Sequence, residues 1–88
     1  MEDLGVDFDG LVLFAGKNCP PCHSAMQWMN SNDVPYRPYA VDGDNALIQW
    51  LATVTGQRTV PQFFWNGAWV DGGIQRVKQM VAEGAIAT

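Results

Sequence analysis

The chain has 88 residues, a formal net charge of −4 and 48% hydrophobic residues, four tryptophans among them. That length makes one small domain, which buries a little over ~60% of its unfolded surface and folds without a wide margin. The acidic balance argues against nucleic-acid binding, and no apolar run reaches the roughly 18 residues of a membrane span.

Met1–Gly10 carries Glu2, Asp3, Asp7 and Asp9, four of the nine acidic residues. It lacks the basic, apolar and small-residue order of a signal peptide, so a cytoplasmic protein is expected. This start is expected to be loosely packed, with Val6 and Phe8 as its anchors. Leu11-Val12-Leu13-Phe14-Ala15 is continuously apolar, as a strand covered on both faces should be.

Gly16-Lys17-Asn18-Cys19-Pro20-Pro21-Cys22-His23 follows and holds both cysteines. After it, Ala25, Met26 and Met29 continue from Cys22 at helical spacing, which predicts a helix from about Cys19 to Ser31. A CxxC at a strand-to-helix junction reads as a dithiol redox motif. With Cys19 as N-cap, Pro20 falls at the first helical position, where its missing N–H is no loss. Pro21 has no N–H either, so Cys22 alone can donate to a cap at Cys19. A Cys19 thiolate would accept that bond at the positive end of the helix dipole, with Lys17 adding a nearby cation. Such surroundings lower a thiol pKa to roughly 3.5–7.5, and the thiolate is the species that attacks a disulfide. Cys22 lies on the apolar face and is expected to be buried. Cys19 is therefore read as the exposed nucleophile and Cys22 as the resolving thiol. Three other readings compete. A structural disulfide closing so short a loop removes little chain entropy. Zinc needs four ligands, or three and a water, and this chain has two Cys, one His and no second CxxC. Two unrelated core cysteines is the third.

Val34–Val41 reads as the second strand; Pro35 and Pro38 cannot donate to a ladder, which puts it at a sheet edge. Asp42-Gly43-Asp44-Asn45 is a turn offering Asp42 or Asp44 as N-cap. The next helix, about Asn45 to Thr55, should bury Leu47, Trp50, Leu51 and Val54, with Gly56 after its end. Gln57–Pro61 is a loop, and Val60 is extended because a proline follows it. Gln62-Phe63-Phe64-Trp65, Asn66-Gly67 and Ala68-Trp69-Val70 form a hairpin with a type I′ turn. Asp71-Gly72-Gly73 is a tight loop. A last helix runs from Ile74 to Glu83, with Ile74, Val77, Met80 and Val81 inward, and ends at Gly84. The order is β-α-β-α-β-β-α, an α/β class domain. Its first two strands are parallel through a right-handed crossover, and helices cover both faces of the mixed sheet.

From Leu11 to Val81 the chain resembles a glutaredoxin of the dithiol CPPC type. The resemblance is carried by Lys17 with Cys19-Pro20-Pro21-Cys22, by Thr55-Gly56-Gln57-Arg58-Thr59-Val60-Pro61-Gln62-Phe63-Phe64, and by Gly72-Gly73. It implies a thioredoxin fold with a four-stranded mixed sheet and three helices, in a single domain over residues 1–88. It implies a glutathione-dependent thiol–disulfide oxidoreductase with Cys19 and Cys22 catalytic, no bound cofactor or metal, and glutathione as co-substrate. Its partners would be disulfide-containing or glutathionylated proteins, ribonucleotide reductase among the candidates, and the chain a monomer. By the same resemblance Pro61 is cis beside the thiols. The Val60 backbone pairs with the cysteinyl part of glutathione, within a Thr59-Val60-Pro61 segment. Lys17 and Arg58 meet its glycine carboxylate, and Gly72, Gly73, Ile74 and Gln75 receive its γ-glutamyl end.

Two departures stand out. Many glutaredoxins have Tyr at the position of Pro21, where the ring lines the glutathione groove. Many have an acidic residue after Gly-Gly that pairs with the γ-glutamyl ammonium; this chain has Ile74-Gln75-Arg76. Such a charge-assisted contact is worth roughly 1.5–3 kcal/mol. Lys17 and Arg58 also read as solvated loop cations, Gly72-Gly73 as a plain turn, and His23 as a surface residue. Two other functions keep the same fold: a thioredoxin-like electron donor recharged by a flavoprotein reductase, and a carrier of an iron–sulfur cluster shared by two chains through Cys19 and glutathione. The rigid Pro20-Pro21 pair argues against the carrier.

Overall fold

A computed structural model describes residues 4–88. Its elements are β1 (Leu11–Ala15), α1 (Pro20–Ser31), β2 (Arg37–Ala40), α2 (Asn45–Thr55), β3 (Gln62–Trp65), β4 (Ala68–Val70) and α3 (Gly73–Ala82). The sheet order is β2-β1-β3-β4. β1 runs parallel to β2 and antiparallel to β3, and β4 closes the hairpin with β3.

β1 is buried along its whole length and sorts the core in two, because alternate side chains of a strand point to opposite faces. Leu11, Leu13 and Ala15 face a cluster with Cys22, Ala25 and Met29 of α1, Val77 of α3, Phe63 and Val70. Val12 and Phe14 face the other cluster, with Leu47 and Leu51 of α2 and Phe64. Thus α1 and α3 cover one face and α2 the other. The second face is aromatic: Phe14 meets Phe64 edge-on at 5.6 Å, and Phe8 and Trp50 close around them. Such pairs add about 0.5–1.5 kcal/mol each beyond their buried area.

Residues 4–10, expected to be loose, are laid on this face. Leu4, Val6 and Phe8 pack against it, and the Asp7 N–H donates to the Tyr39 hydroxyl at 3.0 Å. The expected Glu2 and Asp3 lie outside the described residues. The second strand is shorter than Val34–Val41. Val34 is instead drawn back to α1, its N–H donating to the Met29 carbonyl at 2.9 Å, and pairing starts at Arg37. β2 is at the edge, where Pro38 removes no inner ladder bond.

The turns follow the sequence closely. Asn66 and Gly67 both have positive φ, 49° and 85°, as a type I′ turn requires. The turn is tied to the start of β1, since the Gly10 N–H donates to Asn66 Oδ1 and the Asn66 N–H to the Gly10 carbonyl, both at 2.9 Å. Asp44 caps α2, accepting from the Leu47 N–H at 3.0 Å. Gly56 closes it in the left-handed region at φ 75°, where a side chain would be strained.

One inward residue of α2 is corrected. Val54 is 48% exposed, and Thr55 takes the buried position instead. The Thr55 hydroxyl donates to the Leu51 carbonyl at 2.7 Å, with the Gln57 carbonyl 3.1 Å away, and accepts from the Gln57 N–H. A hydroxyl satisfied in that way can be buried at little cost.

Candidate active site

The site lies where β1 gives way to α1. Cys19 is the N-cap, with φ −133° and ψ 89°, and Pro20 and Pro21 occupy the first helical positions. The Cys22 N–H donates to Cys19 Sγ at 3.1 Å, and the His23 N–H to the Cys19 carbonyl at 3.1 Å. Because the two prolines have no N–H, the first turn of α1 directs its donors at one sulfur and its carbonyl. The two cysteines form a disulfide with Cα atoms 5.2 Å apart, within the usual range for such a bond.

Cys22 is fully buried, and Cys19 is 7% exposed. The exposed nucleophile expected at Cys19 is therefore a mostly covered one, because Val60 packs over this part of the core. The difference that remains still favours Cys19, since Cys22 has no exposure at all.

Val60 comes from the loop between α2 and β3. Its carbonyl oxygen is 3.8 Å from Cys19 Sγ, and the Val60–Pro61 bond is cis. No backbone group among the described residues pairs with the Val60 N–H. A loop segment whose Val60 N–H is unpaired among the described residues thus lies alongside the reactive sulfur. Beyond Pro61 opens a cleft of about 220 Å³ lined by Gln57, Pro61, Gln62, Trp69, Val70, Asp71, Gly72 and Gly73. Gln62 is 4% exposed. Its Nε2 donates to the Gln57 carbonyl at 2.9 Å, whereas Oε1 is buried without a partner. A second, shallower hollow on the far side of Cys19 is formed by Lys17, Asn18, Cys19, Pro20 and His23. Among the described residues no three His, Cys, Asp or Glu side chains gather as a metal set.

The family model for glutaredoxin matches residues 11–70. The chain belongs to the glutaredoxin family. A glutaredoxin of Vernicia fordii is 32% identical over 88 residues, covering 92% of this chain and 80% of its own. Glutaredoxin 3 of Escherichia coli K12 is 28% identical over 60 residues, covering 68% and 72%. Among solved structures, a buckwheat glutaredoxin–glutathione complex is 28% identical, with a TM-score of 0.69 over 84% of this chain and 69% of that one. This glutaredoxin accordingly has the thioredoxin fold and is a thiol–disulfide oxidoreductase, with Cys19 and Cys22 as its disulfide-forming pair.

The glutaredoxin residues singled out from sequence fall into three groups. Lys17 and Val60 lie beside Cys19, and Pro61, Gly72 and Gly73 line the cleft. Pro21, Arg58 and Thr59 are exposed, and Arg58 has no ion pair among the described residues. Ile74 packs against the core and Gln75 is exposed; neither lines the cleft. Three residues of the site had not been singled out: Asp42, Gln62 and Asp71. Asp42 accepts the Lys17 N–H at 3.0 Å through Oδ2. The turn Asp42-Gly43-Asp44 held the one readable hint, since it has a carboxylate more than a single helix cap uses.

Proposed function

We propose that this glutaredoxin uses glutathione to reduce protein disulfides and protein–glutathione mixed disulfides. The Cys19 thiolate attacks a substrate disulfide: a Cys19–substrate bond forms, the substrate S–S bond breaks, and one substrate sulfur leaves as thiolate. The Cys22 thiolate then attacks Cys19 Sγ, releases the second substrate sulfur and closes the Cys19–Cys22 disulfide. Two glutathione thiols return two electrons and leave as glutathione disulfide. A substrate already carrying glutathione needs Cys19 alone.

The observation that carries this reading is the unpaired Val60 N–H on the loop whose carbonyl lies beside Cys19 Sγ. An extended peptide such as glutathione can add there as a strand, leading its γ-glutamyl end into the cleft past Pro61. The buckwheat relative was solved as a glutathione complex, which supports the same occupant here. The acidic residue that many relatives place after Gly-Gly is absent, but Asp71 stands immediately before Gly72-Gly73 on the same cleft. Asp71 supplies the negative charge for the ammonium there.

S-methylglutathione, which cannot reduce the disulfide, isolates binding from chemistry. Titrated in an NMR experiment, it gives saturable shifts at the Val60 and Gly73 amides. Asp71→Asn weakens its binding by about tenfold or more, the value of one charge-assisted hydrogen bond. Absence of saturable shifts would contradict glutathione as the occupant, and an unchanged Kd would remove Asp71 from the site.

A further inference from the structure

We infer that Asp42 is a positioning residue for the dithiol: it holds the loop before Cys19 and its charge holds down the stability of the Cys19 thiolate. This inference rests on the oxidoreductase activity and is independent of glutathione as the reductant.

The parallel pairing of β1 and β2 ends at Ala15 and Ala40. One more backbone bond follows, from the Val41 N–H to the Ala15 carbonyl at 2.9 Å. There the chains diverge, β1 toward Cys19 and β2 toward α2. The next link is made by a side chain, as Asp42 Oδ2 accepts the Lys17 N–H at 3.0 Å. Capping of α2 does not need Asp42, because Asp44 does that. The carboxylate therefore extends the ladder by one rung into the loop that presents Cys19.

It also brings a negative charge there. A Cβ placed on Gly16 would lie 3.6 Å from Asp42 Oδ1, 3.6 Å from Val60 Cγ2 and 3.9 Å from Cys19 Cβ. Asp42, Val60 and Cys19 thus border one small space beside Gly16. Among the described residues, the charged or titratable groups around Cys19 are Lys17, Cys22 and His23 on its own segment and Asp42 from the β2–α2 turn; the α2–β3 loop presents the Val60 carbonyl. Lys17 and the α1 N-terminus favour the thiolate, and Asp42 opposes them. A thiolate stabilised less makes the dithiol form less stable and the protein a stronger reductant.

Two variants separate the clip from the charge. Asn at position 42 can still accept the Lys17 N–H but carries no charge; Ala removes both. In Asp42→Asn the rate of Cys19 alkylation by iodoacetamide, followed against pH, has its midpoint about half a unit or more lower than in the parent. The reduction potential moves to a less negative value, and hydrogen exchange of the Lys17 amide stays at the parent rate. In Asp42→Ala that amide exchanges about tenfold faster or more, as an amide released from its partner does. Asp42 is exposed, so neither variant empties the core. An unchanged alkylation midpoint in Asp42→Asn overturns the electrostatic role, and unchanged Lys17 exchange in Asp42→Ala overturns the clip.

Discussion

Cys19→Ser lowers turnover on a protein–glutathione mixed disulfide by at least about 1,000-fold, because a serine hydroxyl is not ionised at neutral pH and no other thiol has an approach to the substrate. Cys22→Ser keeps that turnover within about tenfold but loses reduction of protein disulfides, which need a second thiol to release the bound substrate. The asymmetry has a structural cause. Cys19 Sγ sits at the N-cap, accepts the Cys22 N–H and lies at the mouth of the site. Cys22 is fully buried on the inward face of the first turn of α1, where it is bonded to Cys19. Steady-state rates on the two substrate types check this. A Cys19→Ser protein that still turned over would contradict the assignment of the nucleophile.

The second large effect is on stability. Phe14→Ala destabilises the fold by about 3–5 kcal/mol, a large share of the 5–15 kcal/mol that small domains have in total. Phe14 is fully buried on β1 and touches Phe8, Tyr39, Trp50 and Phe64. Its removal empties the meeting point of the N-terminal segment, the sheet and α2, and neighbours anchored on both sides cannot collapse into it. For a domain of this length the melting temperature falls by about 12 °C or more. Phe14→Leu, which fills most of the volume, falls by less than half as much. Equal losses for the two variants would show that the cavity is not what matters.

Much of this architecture is local and so readable from the chain. The unbroken run Leu11–Ala15, the two prolines that place β2 at an edge, and Asn66-Gly67 each act over a few residues. The N-cap at Cys19 was legible for the same reason, since Pro20 and Pro21 leave only the Cys22 N–H to donate. What was missed depends on the chain folding back. Ile86 is fully buried because, after Gly84, the N–H groups of Ala85 and Ile86 return to the Met80 carbonyl; no periodicity announces that. Val54 and Thr55 follow the buried Leu51 by three and four residues, so helical spacing allows either to turn inward, and the choice between them was made by the hydroxyl's bonds to Leu51 and Gln57. The site divides similarly. Cys19, Cys22 and Val60 were marked by motif, whereas Asp42 and Asp71 gain their positions from a strand end and a hairpin that are distant in sequence from Cys19.

The most direct test is a coupled turnover assay on one mixed-disulfide substrate. One arm contains NADPH, glutathione and glutathione reductase; the other contains NADPH and thioredoxin reductase without glutathione. Turnover in the first arm alone is the expected result, and it would place glutathione in the groove beside Val60 as the working reductant. Turnover in the second arm alone would contradict that, and would make this glutaredoxin an electron donor recharged by a flavoprotein.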